Sequence, residues 1–109
     1  MQNLTDADRQ DRHQQSAWRG HLKLFYKISE EQYNELLDEQ GGCCAICRRP
    51  QDYFRKRFAV DHNHETGKVR GLLCPNCNQA LGHMRDDPHL FVRAAMYLKH
   101  YEESKWLAI

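Results

Sequence analysis

The sequence predicts an α+β fold in which a small zinc-stapled core of two short strands and a helix is flanked by further helices toward both termini. Three observations carry this expectation. Two Cys-x-x-Cys pairs, Cys44-Ala-Ile-Cys47 and Cys74-Pro-Asn-Cys77, have the spacing of tetrahedral zinc knuckles. Between them, two runs of strand-forming residues flank a Gly-containing turn. Outside them, apolar residues recur at helical spacing behind capping residues. At 109 residues the chain has the length of one domain whose apolar core alone would be only marginally stable, a shortfall that a metal staple offsets.

Thr5, followed by Asp6-Ala7-Asp8, predicts a helix N-cap with acids in the first turn, and the polar run continues to about Leu24. This helix has too few apolar residues to be buried, so only its end, with Ala17, Trp18, Leu22, Phe25 and Tyr26, is expected to pack. Ser29-Glu30-Glu31-Gln32 fits a capping box, with Ile28 placed to staple onto Tyr33. Tyr33, Leu36 and Leu37 then form one apolar stripe, and Gln40-Gly41-Gly42 ends the helix. Phe58-Ala59-Val60 starts a strand that runs into Asp61-His62-Asn63-His64, Glu65-Thr66-Gly67 turns, and residues 68–73 return as a second strand. Tyr53 to Lys56 is expected to be loop. A short helix is expected from Asn78 to Met84. Asp86-Asp87-Pro88 caps another, with Leu90, Phe91, Ala94, Ala95, Leu98 and Tyr101 as its expected buried face. Residues 102–109 read as a tail. The chain divides into a helical extension, 1–28, and a zinc-bound domain, 29–109.

Paired Cys-x-x-Cys spacing without a secretory signal favours metal over disulfides and places the protein in a reducing cytoplasm. No apolar run of about 18 residues exists, so no membrane span is expected. Of the five cysteines, Cys43 is left over; Cys44 gives the spacing that matches the second knuckle. The net charge of +1 hides an asymmetry: residues 43–85 carry 8 Lys/Arg against 3 Asp/Glu, whereas residues 1–42 carry 5 against 8. Four thiolates and one zinc would remove part of this excess and still leave a basic segment able to hold a phosphate backbone. Arg48, Arg49, Arg55, Lys56, Arg57 and Lys68 are read together as backbone-gripping charge. Arg70 fits either a phosphate contact or the solvent face of its strand. Tyr53 and Phe54 fit either base stacking or core packing.

Between the knuckles, Asp61 and Asn78 offer the hard oxygen ligands that Mg²⁺ prefers, with Mn²⁺ as its substitute. His62 and His64 are imidazoles that titrate near neutral pH and can accept a proton from water. One of them could instead complete a zinc set, but four cysteines already fill the coordination sphere. Taken singly, Asp61 could be a turn acid and Asn78 a helix cap.

The ordered set Gly41-Gly42, Cys44-Ala-Ile-Cys47, Asp61-His62-Asn63-His64, Gly67, Arg70-Gly71-Leu72-Leu73-Cys74, Cys77-Asn78 and Leu81-Gly82 resembles the recombination endonuclease VII family of His-Me finger (HNH) nucleases. The resemblance implies a ββα-metal core with structural zinc, and Mg²⁺-dependent cleavage of DNA to a 5′-phosphate and a 3′-hydroxyl. It implies Asp61 and Asn78 as Mg²⁺ ligands, His62 as general base and His64 near the scissile phosphate. Branched or nicked duplexes such as Holliday junctions are the implied substrate, acted on in a bacterial cell or phage-infected host. Cutting a junction symmetrically would need a homodimer, formed through the N-terminal helices or the C-terminal helix. Some members carry a carboxylate one helical turn after the Asn, where this chain has Leu81. The chain is also short for a resolvase with a separate C-terminal dimerisation region. Two rivals share the motif: a monomeric nicking or relatively unspecific HNH endonuclease, and a zinc-finger DNA-binding module without hydrolytic activity.

Overall fold

A computed structural model describes residues 5–102. The chain order is helix α1 (Asp6–His21), a wider π-type turn (Leu22–Tyr26), helix α2 (Glu30–Glu39), a short turn at Gln51–Tyr53, strands β1 (Ala59–His62) and β2 (Val69–Leu73), and helices α3 (Pro75–His83) and α4 (Pro88–Glu102). The fold is α+β, with one two-stranded antiparallel sheet. Residues 103–109, most of the expected tail, lie outside the described part. Among the described residues, no helix is long and apolar enough to cross a membrane.

Local signals set most element boundaries. Thr5 caps α1, its hydroxyl accepting from the Asp8 N–H while the Asp8 carboxylate reaches back to Thr5. Ser29 and Gln32 form the expected capping box on α2. Gly41 and Gly42 then turn the chain with φ of 67° and 74°, a region that costs glycine little. Helix α3 starts three residues earlier than expected, at Pro75. The Cys74 side chain is itself the N-cap, accepting from the Cys77 N–H, and Pro75 occupies the first helical position, where a missing N–H costs nothing. At the Tyr53 region a single helical turn precedes the extended residues that lead into β1.

The core is small and centred on the hairpin. Leu72, Cys44 and Cys74 are wholly enclosed, with Leu22, Tyr33, Phe58, Val60 and Leu73 around them. Tyr33 donates a 2.7 Å hydrogen bond from its buried hydroxyl to the Phe58 carbonyl, anchoring the approach to β1 on α2. Burial pushes the Tyr33 phenol up to about 12, more than the nearby Arg57 charge lowers it. The end of α1 packs as expected through Trp18, Leu22 and Tyr26, but Ala17 is exposed and Phe25 is 65% exposed. The π-type turn winds more residues into one turn, so Leu22 and Tyr26 face inward and Leu24 and Phe25 face out.

Helix α4 departs most from expectation. Its apolar stripe forms, yet none of its residues is buried; Ala95 is exposed and Leu98 is 67% exposed. Of the expected face, Leu90, Phe91 and Ala94 are half-buried and Ala95, Leu98 and Tyr101 exposed, so periodicity identified the apolar side of the helix but overstated how much of it the described residues cover.

Candidate active site and metal centre

The four knuckle cysteines meet at the hinge between α2, β2 and α3. Their Sγ atoms all lie within 4.8 Å of one another. The Cys47–Cys74 separation is 3.8 Å, which matches the tetrahedral edge of about 3.8 Å that follows from a Zn–S bond of about 2.3 Å. The residues therefore fit zinc, and the four cysteines are positioned to bind it. All five cysteines are free thiols, and Cys43 stays outside the cluster. Backbone N–H groups already point at the sulfurs: Cys74 donates to Cys44 Sγ at 3.3 Å and Cys77 to Cys74 Sγ at 3.4 Å. Burial raises the Cys44 thiol, but the N–H groups of Cys74, Cys47 and Ile46 outweigh it and bring the thiol down to about 6. Burial pushes Cys77 the other way, to about 12, with the neighbouring sulfurs adding to the rise. The Cys44 thiolate forms readily, and Cys74 and Cys77, both raised by burial, resist joining it until a cation is present.

Gln40 ties this centre to the hairpin. Its amide oxygen accepts from the Leu72 N–H at 2.8 Å, while its amide nitrogen donates to the carbonyls of Leu72 and Cys43, each at 2.9 Å. A side chain thus serves as the neighbouring strand that β2 lacks on that edge. Gly71 permits the approach, since a Cβ there would come within 3.1 Å of the Gln40 oxygen. From sequence, Gln40 reads only as a helix end.

The hairpin is irregular where its side chains matter. Ala59 pairs with Leu73, Val60 with Leu72 and Asp61 with Gly71, but His62 pairs with Val69, leaving Arg70 as an extra residue. Such a bulge breaks the strict alternation of faces and re-aims a side chain. Arg70 folds onto Asp61 as a two-bonded pair, Nε to Oδ2 at 2.6 Å and Nη2 to Oδ1 at 2.9 Å, and Nη2 also reaches Asp86 Oδ2 at 3.3 Å. The bond to Asp61 is the main reason the Arg70 pKa is raised. Beyond β1, the Asn63 side chain accepts from the N–H groups of Glu65 and Thr66, so it shapes the turn that carries His64 and leads to β2.

Asp61, His62, His64 and Asn78 line one cavity of about 260 Å³, together with Tyr26, Leu81 and Asp86. The Tyr26 and His64 rings lie 5.5 and 4.8 Å from the His62 ring, centroid to centroid. Aromatic neighbours so close restrict how the imidazole can turn. His64 and Asp86 also border a second, open hollow of about 520 Å³ that contains Arg70 and Arg85.

The other basic residues do not converge on this cavity. Arg57 stacks on Trp18, its guanidinium carbon 4.0 Å from the ring centroid, and Arg49 lies 5.4 Å over the exposed Tyr53. Arg55, Lys56 and Arg57 line a separate groove against Trp18 and Tyr33, while Arg48 and Lys68 are exposed on their own turns. Phe54 joins the core and Tyr53 remains outside it. The site also contains two residues that sequence reasoning passed over. Tyr26 reads as core, and Asp86 reads as a cap because Asp87-Pro88 follows it.

Residues 19–100 match the family model for recombination endonuclease VII. The chain belongs to the recombination endonuclease VII family. It is similar to the Gene 59 protein of Mycobacterium phage L5, 43% identical over 84 residues, and to the Gene 59 protein of Mycobacterium phage D29, 44% identical over 85 residues. Those alignments cover 76% and 77% of this chain but 51% of each relative, so the chain spans about half the length of the curated relatives it matches. The family is described as one of recombination endonucleases.

Proposed function

We propose that this endonuclease VII relative is a His-Me finger enzyme that hydrolyses phosphodiester bonds in branched DNA, including four-way junctions, in a Mg²⁺-dependent reaction. The carrying observation is that Asp61, His62, His64 and Asn78 share one cavity beside the cysteine cluster. An acid and an amide oxygen lining the same cavity fit a hard divalent cation, and the soft thiolates are segregated in their own cluster. When bound, that cation supplies positive charge to the phosphate and the leaving oxygen. His62, held between the Tyr26 and His64 rings, accepts the proton of the attacking water. The water oxygen bonds to phosphorus, the P–O3′ bond breaks, and the 3′ oxygen takes a proton from solvent, leaving a 5′-phosphate and a 3′-hydroxyl. His64, exposed at the rim, faces the phosphate. Arg48, Arg49, Arg55, Lys56, Arg57 and Lys68 give outlying backbone contacts.

Symmetric cutting of a junction needs two such sites, and the exposed part of the α4 apolar stripe, with Leu98 and Tyr101, supports pairing with a second copy. The phage origin of the relatives supports action inside an infected cell. The deciding experiment is cleavage of a labelled four-way junction and a linear duplex of the same sequence, with and without Mg²⁺. Junction-selective, Mg²⁺-dependent cutting that is lost in His62→Ala and Asn78→Ala is expected. Activity that survives both substitutions refutes the mechanism; equal cutting of both substrates points to a nicking or unspecific nuclease; and binding without cutting by the wild type points to a non-catalytic module.

A further inference from the structure

The Arg70 guanidinium is bound to the acid proposed above as a cation ligand. Asp61, whose side chain is only 12% exposed, accepts from Arg70 at both of its oxygens. A guanidinium held this way competes directly with any second cation for the same carboxylate. Release into solvent would take its charge away from the place where a phosphate arrives.

Asp86 offers the guanidinium another position. Of the Arg70 nitrogens, Nη2 is shared between Asp61 at 2.9 Å and Asp86 at 3.3 Å, whereas Nε bonds to Asp61 alone. Rotation about the Nη2–Asp86 bond therefore frees both Asp61 oxygens while keeping Arg70 beside the cavity. The same Asp86 Oδ2 lies 3.6 Å from His64 Nε2, so one carboxylate oxygen adjoins both Arg70, which borders the open hollow, and His64, which borders both hollows. The turn after α3 aims it there. Arg85 and Asp86 are consecutive non-glycine residues in the left-handed region, φ 57° and 54°, and the Asp86 N–H donates to the Leu81 carbonyl at 2.9 Å. Such backbone costs free energy for side chains other than glycine and is kept where the surroundings enforce it.

We infer that Asp86 is a positioning residue that retains Arg70 beside the cavity while a divalent cation takes Asp61 from Arg70. This rests on the proposed cation site at Asp61 and Asn78. Once released from Asp61, the Arg70 fork presents Nε and one Nη to a phosphodiester oxygen pair, so loading the cation also arms the phosphate grip. Asp86 is the pivot of that exchange and acts through Arg70.

The test is a double-substitution cycle read on Mn²⁺ binding to the zinc-loaded full chain without DNA, from the electron paramagnetic resonance signal of free Mn²⁺. Arg70→Gln removes the competitor and is expected to tighten Mn²⁺ binding, by about fivefold for a partly exposed pair. Asp86→Asn, of nearly the same shape, is expected to weaken binding by about fivefold in the wild-type background and by less than about twofold in Arg70→Gln, the non-additivity of residues that act together. Equal weakening in both backgrounds overturns the inference, because Asp86 would then act on the cation by itself, and so does no weakening in either. An Asp61→Asn variant that binds Mn²⁺ as the wild type does removes the cation from this cavity altogether, and the proposed mechanism fails before the inference is reached.

Discussion

Around the cysteine cluster Leu72, Cys44 and Cys74 have no exposed surface, whereas along α4 Met96, Tyr97 and Leu98 are 66%, 62% and 67% exposed. The two regions have comparable apolar patterning in the sequence and opposite fates in the fold. In the middle, one short hairpin is held on several sides: by thiols aimed at a common centre, by the Gln40 amide and by the Tyr33 hydroxyl. Helix α4 has its backbone hydrogen bonds and a capping contact from Asp87 to the His89 N–H, but no buried residue. A helix of 15 residues whose apolar face the described residues cover only in part is marginally stable by itself in water. Stability in this chain therefore concentrates where the metal ligands are, and the outlying helix offers area for association.

Removing the metal should separate the two regions most sharply. Stripping zinc with a chelator, or replacing Cys74 by Ser, is expected to abolish cooperative melting, since structural zinc in small domains contributes about 10 kcal/mol or more. Near-ultraviolet circular dichroism and thermal scans of the stripped protein check this; a sharp transition at an unchanged temperature would contradict it. Because every ligand must be a thiolate, zinc retention should weaken as the pH falls.

Within the zinc-loaded core, Leu72→Ala removes a wholly enclosed side chain and should cost about 2–5 kcal/mol in urea unfolding. Tyr33→Phe is expected to cost about 1 kcal/mol, the usual worth of one hydrogen bond. It carries a pH signature as well. Burial raises the folded phenol from the ordinary 10 to about 12, so above pH 10 the unfolded chain gives up the proton more readily than the folded one. Wild type should then lose stability as pH rises from 10 toward 12, and Tyr33→Phe should lose less. Equal alkaline loss in both proteins would assign that loss to another group.

At the other end of the scale, Leu98→Glu should leave urea unfolding of the monomer within about 0.5 kcal/mol. Analytical ultracentrifugation should show it reducing self-association. A large loss of monomer stability instead would mean that α4 packs on its own chain after all.

What was legible in the sequence had local causes. Thr5 and Ser29 announce helix starts because a capping side chain bonds within its own turn. The cysteine knuckles, Gly67 and the hairpin follow from spacing and turn chemistry over a few residues. The bulge at Arg70 was hidden because it is a property of two strands paired together, and nothing in Val69-Arg70-Gly71 alone marks it. Asp86 was hidden by its neighbours, since Asp-Asp-Pro before a helix has a sufficient explanation as a cap. The α4 stripe misled for a different reason: periodicity tells which side of a helix is apolar but not which molecule covers it.

The π-type turn at Leu22–Tyr26 has one more consequence. In an ordinary helix each residue advances the azimuth by about 100°, so deleting one residue there would swing Tyr26 well away from His62 and bring an outward side chain toward it. The same deletion earlier in α1 would merely re-phase solvent-facing positions. Length variation in this segment is therefore a natural tuning peg for the imidazole: chains that differ by a single codon there should differ in how firmly that ring is clasped, even with every residue of the cavity wall preserved.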